Sequence, residues 1–165
     1  MPVGVSAYVP LATKTLTATA TTVTFSSISQ VYRDLVLVAT PMTSASNNVW
    51  FRINGDASST YESMYMLGQG TSGLSGINSS VTYADISGGS TPTSTVRAQI
   101  KIDLIDYSAT DKHKTFLRRS DQDADGTVAS VQRWPSFAAI TSLTLLPQSG
   151  NFVIGSTFTL YGVSA

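Results

Sequence analysis

Asp121, Asp123 and Asp125 alternate along "DQDADG", with Gly126 directly behind them. Carboxylates at every second position before a glycine are how a calcium loop opens, since hard oxygen ligands converge while the glycine takes the sharp turn. Val128 stands where such a loop carries its apolar residue. At the twelfth position, where a bidentate glutamate would close the shell, stands Gln132, an uncharged amide. The flanks alternate like strands rather than helices. The same residues therefore also read as a hairpin turn in which Asp and Gly are turn formers. A calcium site at Asp121, Asp123 and Asp125 and a solvated turn are both open at this point.

Other chemistry finds little to work with. His113 is the only histidine and lies among charges in "DKHKTF", as a surface strand residue would. No G-x-S-x-G elbow supports a serine nucleophile. Glycoside hydrolysis needs two facing carboxylates of split pKa, yet Glu62 is the only glutamate. Asp103 and Asp106 alternate onto opposite faces of a strand. Phosphate loops, dinucleotide fingerprints and zinc-type clusters are missing, so the expectation is a protein that is not an enzyme and needs no cofactor, calcium apart. Trp50, Tyr61, Tyr65 and Tyr83 lie near polar loops. There they serve either as sugar platforms or as core and inter-subunit packing. Trp134 and Phe137, in "RWPSF", are expected to plug one end of the fold.

The elements that must carry these residues are strands. Val23 and Phe25 alternate with Thr22 and Thr24; Val49, Phe51 and Ile53 with Trp50 and Arg52; Ile100, Ile102 and Leu104 with Lys101 and Asp103. Leu143 with Leu145, and Phe158 with Leu160, repeat the pattern. "LVLVAT" is apolar on both faces, as a covered central strand would be. Turn clusters such as "NGDASS", "SGGSTPTS" and "PQSGN" separate the runs, and no helical period persists for three turns. The prediction is an all-β, two-sheet antiparallel sandwich, jelly-roll-like, with eight to ten strands. Residues 67–95, rich in Gly, Ser and Thr, read as long exposed loops around one short strand, "VTYADI". Residues 1–20 read as an N-terminal arm and first strand, and residues 21–165 as a single sandwich domain.

Composition narrows the partners. Of 165 residues, 46 are Ser or Thr, 12% are charged, and ten basic residues balance ten acidic ones. That balance gives no reason to expect nucleic acid or an anionic membrane. Without cysteine there is no disulfide framework. The first residues lack the basic and apolar regions of a secretory signal, and no apolar run approaches a membrane span. Val3, Val5, Tyr8 and Leu11 make the first segment apolar. Left in water they would be costly, so they are expected to contact a neighbouring subunit or an underlying surface.

Four segments occur in order: "FSSISQVYRDLVLVA", "FRINGDASSTYESMYM", "IDLIDYSATDKHKTFLRRS" and "RWPSFAAITSLTLLPQSGNFVIGSTFTLYGV". Together they resemble a family of tailed-phage virion proteins common in cyanophages and other marine phages. The R-x-N-G-D turn, the "IDLIDY" strand and the "GSTFTLYG" end carry the likeness, which covers roughly residues 23–163. The resemblance implies a jelly-roll or lectin-like sandwich in a virion, either a capsid decoration (cement) protein or a tail or fibre module. About twenty residues precede the first of these segments, which favours a small decoration subunit. The expectation is a homotrimer seated on the major capsid protein at the capsid exterior, made in the host cytoplasm. The alternative is a tail-associated host-recognition module that binds surface glycan.

Overall fold

Eight short strands that change sheet at every step but one form the heart of the molecule. The structure is a computed structural model, and it describes residues 7–122 and 125–164. In chain order the strands are β1 (Tyr8–Thr15), β2 (Val23–Phe25), β3 (Asp34–Thr40), β4 (Val49–Ile53), β5 (Tyr61–Gln69), β6 (Ser72–Val81), β7 (Ala84–Asp85), β8 (Gln99–Ile105), β9 (Lys114–Asp121), β10 (Thr127–Trp134), β11 (Leu143–Pro147) and β12 (Thr157–Val163). They pair, antiparallel throughout, as an eight-stranded sheet β1-β12-β3-β8-β9-β10-β5-β6 and a four-stranded sheet β2-β11-β4-β7. With β5, β6, β9 and β10 taken away, only the step from β4 to β7 stays within one sheet, and β1-β12-β3-β8 faces β2-β11-β4-β7. That is the interleaved double Greek key of a jelly roll.

The count of twelve strands exceeds the expected eight to ten because two hairpins are inserted into this core. One, β5–β6, lies between β4 and β7; the other, β9–β10, between β8 and β11. They pair with each other through β10 and β5, and β9 joins them to β8. The result is a four-stranded wing that prolongs one sheet past the other.

Alternation explains the core. Leu35, Leu37, Ile102, Leu104, Phe158 and Leu160 point inward from the large sheet against Val49, Phe51, Ile53, Leu143 and Leu145, all buried. Phe152 and Phe158 meet edge to face at 5.0 Å, as do Phe51 and Phe116. In β3, Val36 on the outer face is also buried while Val38 is 39% exposed, so the outer face of the strand is covered at Val36 and open at Val38.

Motif residues prove to be fasteners. Asn54 and Gly55 both take positive φ, 52° and 70°, in the tight turn that Asp56 N closes onto Ile53 O at 2.9 Å. The Asn54 side chain then accepts from Thr141 N and Ser142 N and donates to Ala139 O. Asp56 accepts from the Trp134 indole at 2.6 Å and from Ser58. Tyr61, fully buried, accepts from Ile53 N with its phenol oxygen. Tyr107 of the "IDLIDY" stretch is buried, and its hydroxyl donates to Ser29 O. These contacts tie loops to the sandwich end and satisfy the polar groups there.

Candidate functional site

The aspartate loop closes the β9–β10 hairpin. Asp121 is the exposed last residue of β9, opposite both Thr127 and Gln99. Asp125 N donates to Gln122 O, and its carboxylate accepts from Gln69 Nε2 at 2.6 Å and from Thr91 N at 2.8 Å. Asp125 therefore stitches the β5–β6 turn and the loop before β8 to this hairpin. Asp123 lies outside the described residues. Among the described residues, no three acidic, histidine or cysteine side chains are grouped to hold a metal ion.

The apolar first segment is an edge strand from Tyr8 onward. β1 pairs along β12, and Leu11 packs against the chain's own core beside a register shift between Pro10 and Ala12. Tyr8 is half exposed and meets Tyr161 edge to face at 6.2 Å. Val3 and Val5 lie outside the described residues. His113 precedes β9 rather than lying in it, with its ring 4.8 Å from that of Phe137. Of the two residues expected to plug the sandwich end, Trp134 is buried and Phe137 is exposed. Asp106 lies just past β8 at positive φ, so it does not share a strand with Asp103.

The aromatic candidates separate. Tyr61 is buried, and Trp50 and Tyr83 stack on each other, 3.8 Å between centroids and 9° between planes. Residues 67–95 are not chiefly loops: β5 and β6 form a long hairpin there, and "VTYADI" contributes only the two residues of β7. The Gly/Ser sequence of β6 hid it, because a strand exposed on both faces has no apolar alternation to show.

In the wing the usual patterning is inverted. The buried positions of β9 and β10 are Lys114, Phe116, Arg118 and Ser120, then Val128, Ser130, Gln132 and Trp134. Their outward neighbours include Leu117 and Val131. Register carries that outward row across four strands, Leu117, Val131, Met64 and Ile77, with Ala129 and Met66 in the next row. Exposures run from 41% at Leu117 and 50% at Val131 to 62%, 66% and 69% at Met64, Met66 and Ile77. Leu117, Val131, Met64, Met66 and Ala129 line a groove of about 360 Å³. Buried polar groups and contiguous exposed apolar ones are the informative departures in a sheet. Here they lie back to back.

Charges frame the apolar rows. Lys101 Nζ lies 2.6 Å from Asp103, and Arg133 lies 2.7 Å from Glu62. Both signs flank the patch, so it presents no single-sign field to a partner. Neither Leu117 nor Val131 stands out in the sequence, because each alternates with an arginine, Arg119 or Arg133. Only the missing cover makes them significant.

Beneath, Arg118 is 4% exposed. Its guanidinium donates to Ser120 Oγ at 2.6 and 2.9 Å, to Gly88 O at 2.8 Å and to Asp85 O at 3.3 Å, and it lies 4.0 Å from the Asp85 carboxylate. Burial pulls its pKa down to about 10, with Asp85 acting the other way, so it stays charged at neutral pH. Lys114, also buried, donates to Lys112 O at 3.0 Å, and burial lowers its pKa. No protein-family model, curated protein or solved structure matches this chain.

Proposed function

We propose that this chain is a structural subunit of a phage virion, a decoration protein that assembles with its own copies as a homotrimer on the major capsid protein. Its place in this reading is the capsid exterior, reached after synthesis in the host cytoplasm, and its role is mechanical rather than catalytic. The observation that carries the assembly step is the apolar outer face of the wing. The ordered motifs of the sequence supply the virion context.

Full burial of one Val, Leu, Ile or Met side chain is worth roughly 1.5–3 kcal/mol. Five side chains left about half to two-thirds exposed therefore hold on the order of 5–8 kcal/mol that a partner surface would release. That falls within the roughly 4–15 kcal/mol cost of association. The face thus needs a second contribution, which β6 offers as an exposed ten-residue edge strand with backbone groups free on one side. A polar cavity on the wing's inner face, lined by Arg118, Ser130, Gln132 and Tyr65, favours a second reading, the host-recognition module.

Two measurements test the proposal. Sedimentation equilibrium of the purified chain should show a trimer. Co-sedimentation with phage heads lacking this protein should show saturable capture. A monomer at every concentration, or heads that leave the chain in the supernatant, would remove the decoration reading.

A further inference from the structure

The wing's inner face holds a polar cavity of about 260 Å³, bordered by β5, β6, β10 and the loop after β7. Arg118, Ser130 and Gln132 form its buried floor, and Asn48, Tyr65 and Asn78 stand at its more exposed rim. The four-stranded sheet ends at β7 and does not cover this part of the wing.

The floor is not built to take an ion. Arg118 spends its donors on Ser120, Gly88 and Asp85, and the Asp85 carboxylate balances its charge. Those bonds prop the loop after β7 against the wing and leave a locally neutral site.

Gln132 is the unsatisfied group. It is 2% exposed, and its Nε2 donates to Asp85 O at 2.5 Å and Ser130 Oγ at 3.1 Å. Because Asp85 O can only accept, the amide orientation is set and Oε1 is the atom turned away from it. That oxygen has no hydrogen-bond partner among the described residues. A buried acceptor left in this condition is costly, so it calls for an O–H or N–H donor from a bound molecule.

The rim adds complementary groups. Asn78 Nδ2 donates to Ser63 Oγ at 3.3 Å and Asn48 Nδ2 to Asp85 at 3.0 Å, which leaves both amide oxygens to accept from a ligand. The Tyr65 phenol makes no hydrogen bond within the described protein. Its ring lies across Gly76 of β6, where a Cβ would collide with it. Only glycine lets the tyrosine settle against the neighbouring strand and close that side of the cavity.

We infer that this cavity binds one ring of a neutral saccharide. Vicinal hydroxyls supply the donors that Gln132 Oε1 and the two asparagine oxygens lack, and the tyrosine gives the ring's C–H surface an aromatic contact. The volume lies just below the roughly 300–1,000 Å³ of drug-sized pockets, which limits the occupant to a single sugar unit. The site faces away from the proposed assembly surface, and the inference deepens the host-recognition reading, on which it rests.

The test uses the full chain, isotope-labelled, with glucose, galactose, mannose, N-acetylglucosamine and rhamnose added singly. Acetate and inorganic phosphate serve as anionic comparisons. At least one neutral sugar should saturate with a dissociation constant on the order of 1 mM. It should shift the Gln132 side-chain amide and the backbone amides of residues 85–90. Gln132→Met and Asn78→Ala should each weaken that binding at least tenfold. Asn78 is exposed, so its variant keeps the test valid if the buried one fails to fold. Silence from all five sugars, or equal affinity in Asn78→Ala, would overturn the inference. Shifts caused by the anions and not by the sugars would overturn it too. Sedimentation of the same samples reads the opposite face, so failure here and failure of assembly are separable.

Discussion

Met64 and Met66 lie two residues apart on β5 and share the outer face of the wing, 62% and 66% exposed. Replacing both with threonine removes apolar surface while keeping residues that favour strands. Full burial of a methionine is worth roughly 1.5–3 kcal/mol, so covering the exposed two-thirds yields about 1–2 kcal/mol per side chain. The double variant should therefore weaken each contact by about 2–4 kcal/mol, or roughly 30- to 700-fold in dissociation constant at 1.4 kcal/mol per tenfold. The isolated subunit should barely notice, since exposed substitutions usually stay within about 0.5 kcal/mol. Sedimentation equilibrium over a concentration series measures the first quantity, and urea unfolding at a concentration where the variant is monomeric measures the second. Unchanged association in the double variant would show that this face is not the interface. A large fall in subunit stability would show that the two methionines already pack within one chain.

Three further outcomes follow from the same structure. Phe158→Ala and Leu104→Ala, each emptying a fully buried position, should cost about 2–5 kcal/mol, whereas Thr159→Ala on the outer face should cost far less; equal small losses in urea unfolding would contradict the register. For Asp56, burial pushes the carboxyl up, but hydrogen bonds from Ser58 and the Trp134 indole outweigh it and hold the group below its ordinary 3.8. A depressed folded-state pKa contributes stability above the unfolded value and loses it as pH falls through the folded one. The urea midpoint should therefore drop below about pH 4, with Asp56→Asn flattening that part of the profile. Millimolar calcium against chelator should leave the melting temperature unchanged, because Asp125 is already committed to Gln69 and Thr91; a rise that grows with calcium would mean the aspartate loop rearranges to bind.

The jelly-roll half of this molecule was legible because most of its strands bury one apolar face. Val49, Phe51 and Ile53, or Phe158 and Leu160, announce a period of two that only a sandwich satisfies. β6 was not legible. Its residues, from Ser72 to Val81, bury almost nothing, and the strand exists because its backbone pairs with β5. The surface and the cavity were hidden for a related reason. Leu117 and Phe116 are consecutive apolar residues in a strand, and sequence does not say which of the two faces is covered. Gln132 drew notice as the wrong ligand at the end of a calcium loop, yet its side chain lies on the inner face of β10. Tyr65 was singled out with three other aromatics and is the one that borders the cavity.

Where the wing's energy goes points to its purpose. The inserted hairpins add Tyr61, Phe116 and Trp134 to one end of the jelly-roll core, but the rest of the wing departs from that pattern. They bring a buried arginine, a buried lysine and an unsatisfied glutamine amide inside, and leave two methionines, a leucine, an isoleucine and a valine outside. Exchanging those placements would make the wing more stable by itself, since buried polar groups cost free energy and buried apolar ones return it. A sequence that keeps the less stable arrangement on both faces of the same strands is selected for something other than the fold of the single chain. Contact with another surface on one side and with a hydroxyl-rich ligand on the other would each turn that deficit into binding free energy. The two are separable at single residues: Met64 and Met66 reach only the outer face, Gln132 only the inner.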